Sequence, residues 1–197
     1  MDYHALLTLW LLGIGMAVKG RRRTRSRRGR VCGLRRRRRV TQKGAAAIAL
    51  PSFSVSWPDS GVTATEEGVA ATQAATASQP AVEWGGCRGS DSPAALYTLI
   101  VWDPDAPSAG SSYLHWLVVN CTGSTPATGQ TLMSWVPPTP PAGSGTHRYI
   151  FGLYKQASRL SVRVDKRPQF NPDSFAELHG LTYCDTKRIT VSAGDMA

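Results

Sequence analysis

Period-two alternation of apolar and polar residues marks the chain after residue 50. Ser52-Phe53-Ser54-Val55-Ser56-Trp57 alternates without a break, the pattern of a strand with one buried face. The cluster Pro58-Asp59-Ser60-Gly61 then supplies a turn. An Ala/Thr-rich stretch to Gln79 shows no helical face and predicts loop with a short edge strand, and Pro80–Trp84 predicts another short strand. Apolar density then rises. Residues 96–102 (LYTLIVW) are β-branched and aromatic, as a central strand buried on both faces requires. Pro104 and Pro107 stop it. Residues 113–120 (YLHWLVVN) and 147–154 (HRYIFGLY) predict two more strong strands, and Thr131–Val136 a weaker one. Arg159–Val164 alternates cleanly enough to predict an amphipathic strand, and Thr186–Val191 a short closing one.

One helix is legible. Asn171 is placed to cap it, Pro172 fits its first position and Asp173 its first turn. Phe175 and Leu178, three apart, predict its buried face, and Gly180 its stop. Many short strands with one small helix predict a mainly β sandwich or barrel.

Composition first misleads, then helps. The 197 residues carry a formal charge of +10, which invites a nucleic-acid reading. Fourteen basic residues and no acid lie between Lys19 and Lys43; from Gly44 onward nine basic residues face twelve acidic ones, a net of −3. The charge belongs to an N-terminal arm over residues 1–44, and residues 45–197 form a mildly acidic domain. Within the arm, residues 5–18 are uncharged and Leu-rich but shorter than the roughly 17–25 residues of a spanning helix. Arginines follow this run instead of preceding it, against the usual order of a signal peptide, although Gly15-Met16-Ala17 offers small residues for cleavage. The arm reads as disordered or as a targeting leader for nucleus or anionic membrane. Nucleic-acid binding is expected, if at all, through the arm alone. The expected compartment is the cytoplasm, with secretion left open.

Cys32, Cys87, Cys121 and Cys184 share no metal-site spacing, so four free thiols in a reducing compartment are expected. Asn120-Cys121-Thr122 is a formal glycosylation sequon.

Three segments carry candidate chemistry. Asp103-Pro104-Asp105-Ala106-Pro107 follows a buried strand and locks two acids with two prolines; the bland alternative is a turn whose carboxylate caps amides. His115 sits in an apolar strand, where a hydrogen-bonded core histidine is the commoner outcome. Gly143-Ser144-Gly145-Thr146-His147-Arg148-Tyr149 follows a proline run; His147 and Tyr149 share a strand face, and the glycine loop can offer amides to an anion. Together they place acids, histidines and a tyrosine at strand ends, a set able to hold a phosphate ester. No GxSxG, HExxH or CxxC motif points to a hydrolase.

DPDAP, LHWLVVN and GTHRY, in this order and spacing, resemble the phosphatidylethanolamine-binding protein (PEBP) family, which includes the Raf kinase inhibitor protein, carboxypeptidase Y inhibitor and the florigen-type proteins of plants. The resemblance runs from about Ile48 to about Val191. It implies a central antiparallel β-sheet with a smaller second sheet and few peripheral helices. It also implies a ligand-binding pocket formed by Asp103, Asp105, His115, His147 and Tyr149, walled by Tyr113, Pro140, Pro141 and the Gly143–Gly145 loop. Residues 167–171 (RPQFN) and 175–178 (FAEL) resemble the florigen-type branch. Departures are an abbreviated segment between Gln156 and Arg167, Leu178-His179-Gly180-Leu181 in place of the family's Pro-Val-Ala-Gly turn, and no C-terminal helix like that of animal members.

The implied function is non-enzymatic binding of phosphate or a phospholipid head group by a monomeric signalling or regulatory adaptor, with no metal and no cofactor. Its protein partner would be a kinase, a protease or a transcriptional complex. Two alternatives stand beside it. One is a protease or kinase inhibitor acting through surface loops around Gln156–Arg163, and the other a phosphoesterase using His115 or His147 as general base.

Overall fold

The computed structural model describes residues 53–87, 92, 94–107 and 112–194; the arm expected over residues 1–44 lies outside them. Strands β1 (Phe53–Trp57), β2 (Val62–Thr63) and β4 (Ala81–Trp84) form a three-stranded sheet in the order β2-β1-β4. The larger sheet comprises β3 (Val69–Ala71), β5 (Leu96–Asp103), β6 (Tyr113–Thr122), β7 (Gln130–Met133), β8 (Thr146–Gln156) and β9 (Leu181–Ser192), in the order β3-β9-β8-β5-β6-β7. All its pairs are antiparallel except β3 with β9. The central strands are those richest in β-branched and aromatic residues, because only they are covered on both faces.

Two apolar clusters flank the large sheet. One fills the space between the sheets, around Trp57, Trp84, Leu99, Trp116 and Phe151. The other, around Ile100, Leu117 and Tyr154, is covered by helix α1 (Pro172–Leu178) and by Leu160, Val162 and Val164.

Residues 159–164 differ from the expected strand. Their burial alternates as the pattern required, with Leu160, Val162 and Val164 turned inward, yet they join no ladder. Alternation reports which side chains face a core, whereas a ladder needs a free neighbouring edge. Here the Asn120 side chain takes that place: Leu160 N–H donates to Asn120 Oδ1 at 2.8 Å, and Asn120 Nδ2 donates to Leu160 O at 2.9 Å.

Helix α1 starts as expected, with Asn171 Oδ1 accepting from Ser174 N–H at 2.9 Å. Its face is different. Pro172, Phe175 and Ala176 are buried, while Leu178 is 79% exposed. Positions 172, 175 and 176 define one stripe at 100° per residue, and 178 falls well off its centre.

The cysteine expectation is corrected as well. Cys87 and Cys184 form a disulfide that ties the chain beyond β4 to β9, and Cys121 is a free, buried thiol. Spacing could not show this, because the two are 97 positions apart and meet only through the sheet topology.

Candidate functional site

Sheet register gathers the chemistry at one end of three adjacent strands. β5 runs antiparallel to both neighbours, pairing Asp103 with Tyr113 and Trp102 with Ile150. The last residue of β5 therefore lies beside the first residues of β6 and β8. Asp103, Tyr113, His115, Pro140, Pro141, His147 and Tyr149 line one cavity of about 260 Å³, together with Ala106, Pro107, Val136 and Thr139.

Asp103 and His147 form the buried polar centre. His147 Nδ1 lies 2.7 Å from Asp103 Oδ2, with side-chain exposures of 1% and 5%. The other carboxylate oxygen, Oδ1, accepts the Asp105 N–H at 2.7 Å. Both oxygens are thus engaged, and the carboxylate, an acceptor only, takes the hydrogen on Nδ1 and fixes the ring's orientation. His147 Nε2 is buried and has no hydrogen-bond partner.

His115 reaches the cavity through a β-bulge. Val101 pairs with Trp116 and Trp102 with Leu114, so His115 is the extra residue of β6. A bulge breaks strict alternation and re-aims a side chain. His115 Nδ1 donates to Val136 O at 2.8 Å, while Val136 N–H donates to His115 O at 3.0 Å. Burial holds the His115 imidazole below its ordinary value, outweighing the Val136 carbonyl and Asp103, which act the other way. Its ring packs edge-on between Tyr113 and Tyr149, with centroids 5.1 and 5.0 Å away. Burial first, and then Asp103 and Asp105, push the Tyr149 hydroxyl upward, so it stays protonated.

Asp105 stands apart from the cavity. Oδ2 accepts from Arg148 N–H at 2.9 Å and from Nε at 2.8 Å, and Oδ1 accepts from Nη2 at 2.8 Å. This pair ties the DPDAP loop to β8, and Arg148 holds the Asp105 carboxyl below its usual range. Gly143 and Gly145 are also outside the lining. They adopt φ values of +77° and +82° in open space, so glycine serves the backbone of the turn there. The turn is fastened to the cavity wall, since Ser144 N–H donates to Pro141 O at 3.0 Å. Neither the bulge nor the part of Val136 had a sequence signal: YLHWLVVN reads as an unbroken strand. Among the described residues no group of three or more His, Cys, Asp or Glu is arranged to hold a metal ion. No helix among them is long and apolar enough to cross a membrane.

Comparison with known proteins places this geometry in context. Over 111 residues the chain is 34% identical to Protein BROTHER of FT and TFL 1 of Arabidopsis thaliana, covering 53% of this chain and 60% of that protein. Over 95 residues it is 39% identical to Protein MOTHER of FT and TFL1 homolog 2 of Oryza sativa subsp. japonica, covering 44% and 53%. The chain thus spans between about half and three-fifths of the length of these curated relatives. Its fold matches carboxypeptidase Y inhibitor, solved in complex with the cognate proteinase, with a TM-score of 0.62. That match covers 73% of this chain and 85% of the inhibitor at 22% identity, so it is a likeness of fold. The model of the phosphatidylethanolamine-binding protein family matches residues 54–188, the stretch that builds both sheets and the cavity, and the chain belongs to that family.

Proposed function

We propose that the chain is a non-enzymatic binding module whose cavity takes one phosphate-bearing group, free or at the head of a phospholipid, in a regulatory role. The observation that carries this reading is His147 Nε2, a buried polar atom without a partner in a ring that lines the cavity. Unpaired buried polar atoms are costly, and with Nδ1–H committed to Asp103 a ligand hydroxyl, such as the P–OH of a phosphate monoanion, would relieve the cost. A volume near 260 Å³ falls below the roughly 300–1,000 Å³ of pockets for drug-sized ligands, which suits a head group and not a whole lipid.

Binding without turnover is supported by the lining. Apart from the two tyrosines, its one hydroxyl is that of Thr139, which is exposed and directed to Pro137 O at 3.5 Å. Neither histidine of the site turns its Nδ1 to it: His115 Nδ1 is engaged with Val136 O and His147 Nδ1 with Asp103. The Cys87–Cys184 bond favours an oxidising compartment over the cytoplasm expected from sequence. A 26 kDa secreted antigen of Toxocara canis is among the chain's relatives, at 34% identity over 120 residues.

The test is a titration of inorganic phosphate and phosphoethanolamine, followed through the imidazole resonances of His115 and His147. Both are expected to shift saturably, with loss of the response in His147→Ala. Unchanged imidazoles at millimolar ligand would refute the reading. Release of product from a chromogenic phosphodiester, abolished by the same substitution, would establish catalysis instead.

A further inference from the structure

We propose that Arg167 is a positioning residue for this site: its guanidinium staples the β-bulge that turns His115 into the cavity and brings a cation that no carboxylate among the described residues neutralises. The proposal rests on the anion-binding reading above and adds a residue that lies outside the cavity lining.

Its basis is the hydrogen bonding around the bulge. In a regular strand, successive carbonyls point to opposite edges. Here Leu114 O and His115 O both accept from the same nitrogen, Arg167 Nη1, each at 3.1 Å. Two neighbouring carbonyl dipoles therefore face one edge of β6, an arrangement that repels itself unless a donor stands between them. Nη2 extends the staple to the chain leaving β7, donating to Ser134 O at 2.8 Å and to Ser134 Oγ at 3.2 Å. The Arg167 backbone completes the edge, since Leu114 N–H donates to Arg167 O at 2.9 Å.

The consequence falls on His115. β7 pairs with β6 as far as Leu117↔Met133, after which the chain leaves the ladder. Ser134 is the first residue beyond it, and Val136, two residues later, orients the His115 ring. A planar guanidinium spans these separate acceptors; a lysine ammonium, a point charge on a flexible stem, does not. Among the described residues no carboxylate lies at ion-pair distance from Arg167, and nearby Asp165 pairs with Arg163 instead. The Arg167 charge accordingly reaches the imidazole and contributes to its lowered value, after burial.

The experiment uses the full chain with Arg167→Lys and Arg167→Met, and Ser134→Ala as a milder variant that removes one acceptor. Inorganic phosphate affinity is measured by calorimetry, and the His115 Nδ1–H signal and titration midpoint by NMR. Arg167→Lys is expected to keep the charge but lose the protected Nδ1–H signal and bind phosphate about tenfold more weakly. Arg167→Met should in addition raise the His115 midpoint, while Ser134→Ala should fall between wild type and Arg167→Lys. If Arg167→Met does not fold, Arg167→Lys and Ser134→Ala decide. Phosphate affinity within twofold of wild type together with an intact Nδ1–H signal in Arg167→Lys would overturn the proposal. Wild-type protein indifferent to phosphate would instead refute the anion-site reading, and loss of the Nδ1–H signal in Arg167→Lys would still support the staple.

Discussion

Asp103 Oδ2 and His147 Nδ1 lie 2.7 Å apart in a buried pair drawn from two adjacent strands. The carboxylate ties up one ring nitrogen and leaves the other, Nε2, as the unpartnered atom. By holding Nδ1 it also sets the direction in which Nε2 faces the cavity. Asp103→Asn keeps the shape and removes the charge. Calorimetry at pH 6 is expected to show about tenfold weaker phosphate binding, a change of about 1.4 kcal/mol. An unchanged affinity would remove Asp103 from the site's machinery.

Phosphate affinity is expected to rise as pH falls, while the ligand-free protein loses stability. In the neutral state His115 donates from Nδ1 to Val136, leaving Nε2 able only to accept. A fully deprotonated phosphate oxygen cannot pair with it until a proton is taken up, so binding and protonation are linked. For stability the sign follows from burial, which lowers the folded-state value below the ordinary 6.5. A depressed value gives stability that is present above the unfolded value and is lost as pH falls through the folded one. Melting temperatures from pH 8 to pH 5 should fall without ligand, and the gain from saturating phosphate should grow over the same range. A phosphate-induced gain independent of pH would contradict the linkage.

The parts of the molecule legible in sequence are those set by one strand at a time. Phe53–Trp57, Leu96–Asp103 and the start of β8 follow from apolar pattern, and Asp103, His115, His147 and Tyr149 stood out as chemistry near strand ends. What escaped depends on pairing between strands. The bulge at His115 exists because two registers fail to match across β5 and β6, and no local pattern carries that. Asp105 belongs to the same pentapeptide as Asp103 but turns to Arg148, because prolines set the direction of each acid separately. The segment 159–164 shows the converse, a strand-like pattern without a ladder.

The disulfide is expected to matter for stability. Its two sulfurs close a loop of 97 positions, and constraining an unfolded loop of about that length is worth about 4.7 kcal/mol in the chain-entropy picture. Cys87→Ser with Cys184→Ser should lower the denaturation midpoint and raise the m-value, because the chain without the crosslink unfolds to a more open state. Without reductant, alkylation of denatured protein followed by peptide mass mapping should label Cys121 and leave Cys87 and Cys184 unmodified. Burial holds the Cys121 thiol near 12, so the native protein should resist alkylation there. Labelling of Cys87 or Cys184 without reductant would restore the free-thiol expectation.

Asn120 joins β6 to the segment crossing the second core cluster, and its side chain has no spare capacity. Its φ of +60° is accepted because its own N–H donates to Gln156 Oε1 at 2.7 Å. Gln156 Nε2 returns a bond to Asn120 Oδ1 at 2.9 Å, while Leu160 is held through both its N–H and its carbonyl. The residue is 2% exposed, so a glycan on this sequon is incompatible with the native packing. Asn120→Ala strands polar groups of Gln156 and Leu160 and is expected to cost about 2–4 kcal/mol. Hydrogen exchange should then quicken at Leu160 first, ahead of β5. A loss below about 0.5 kcal/mol, or exchange that quickens uniformly across the sheet, would show that Val162 and Val164 hold the segment by packing alone.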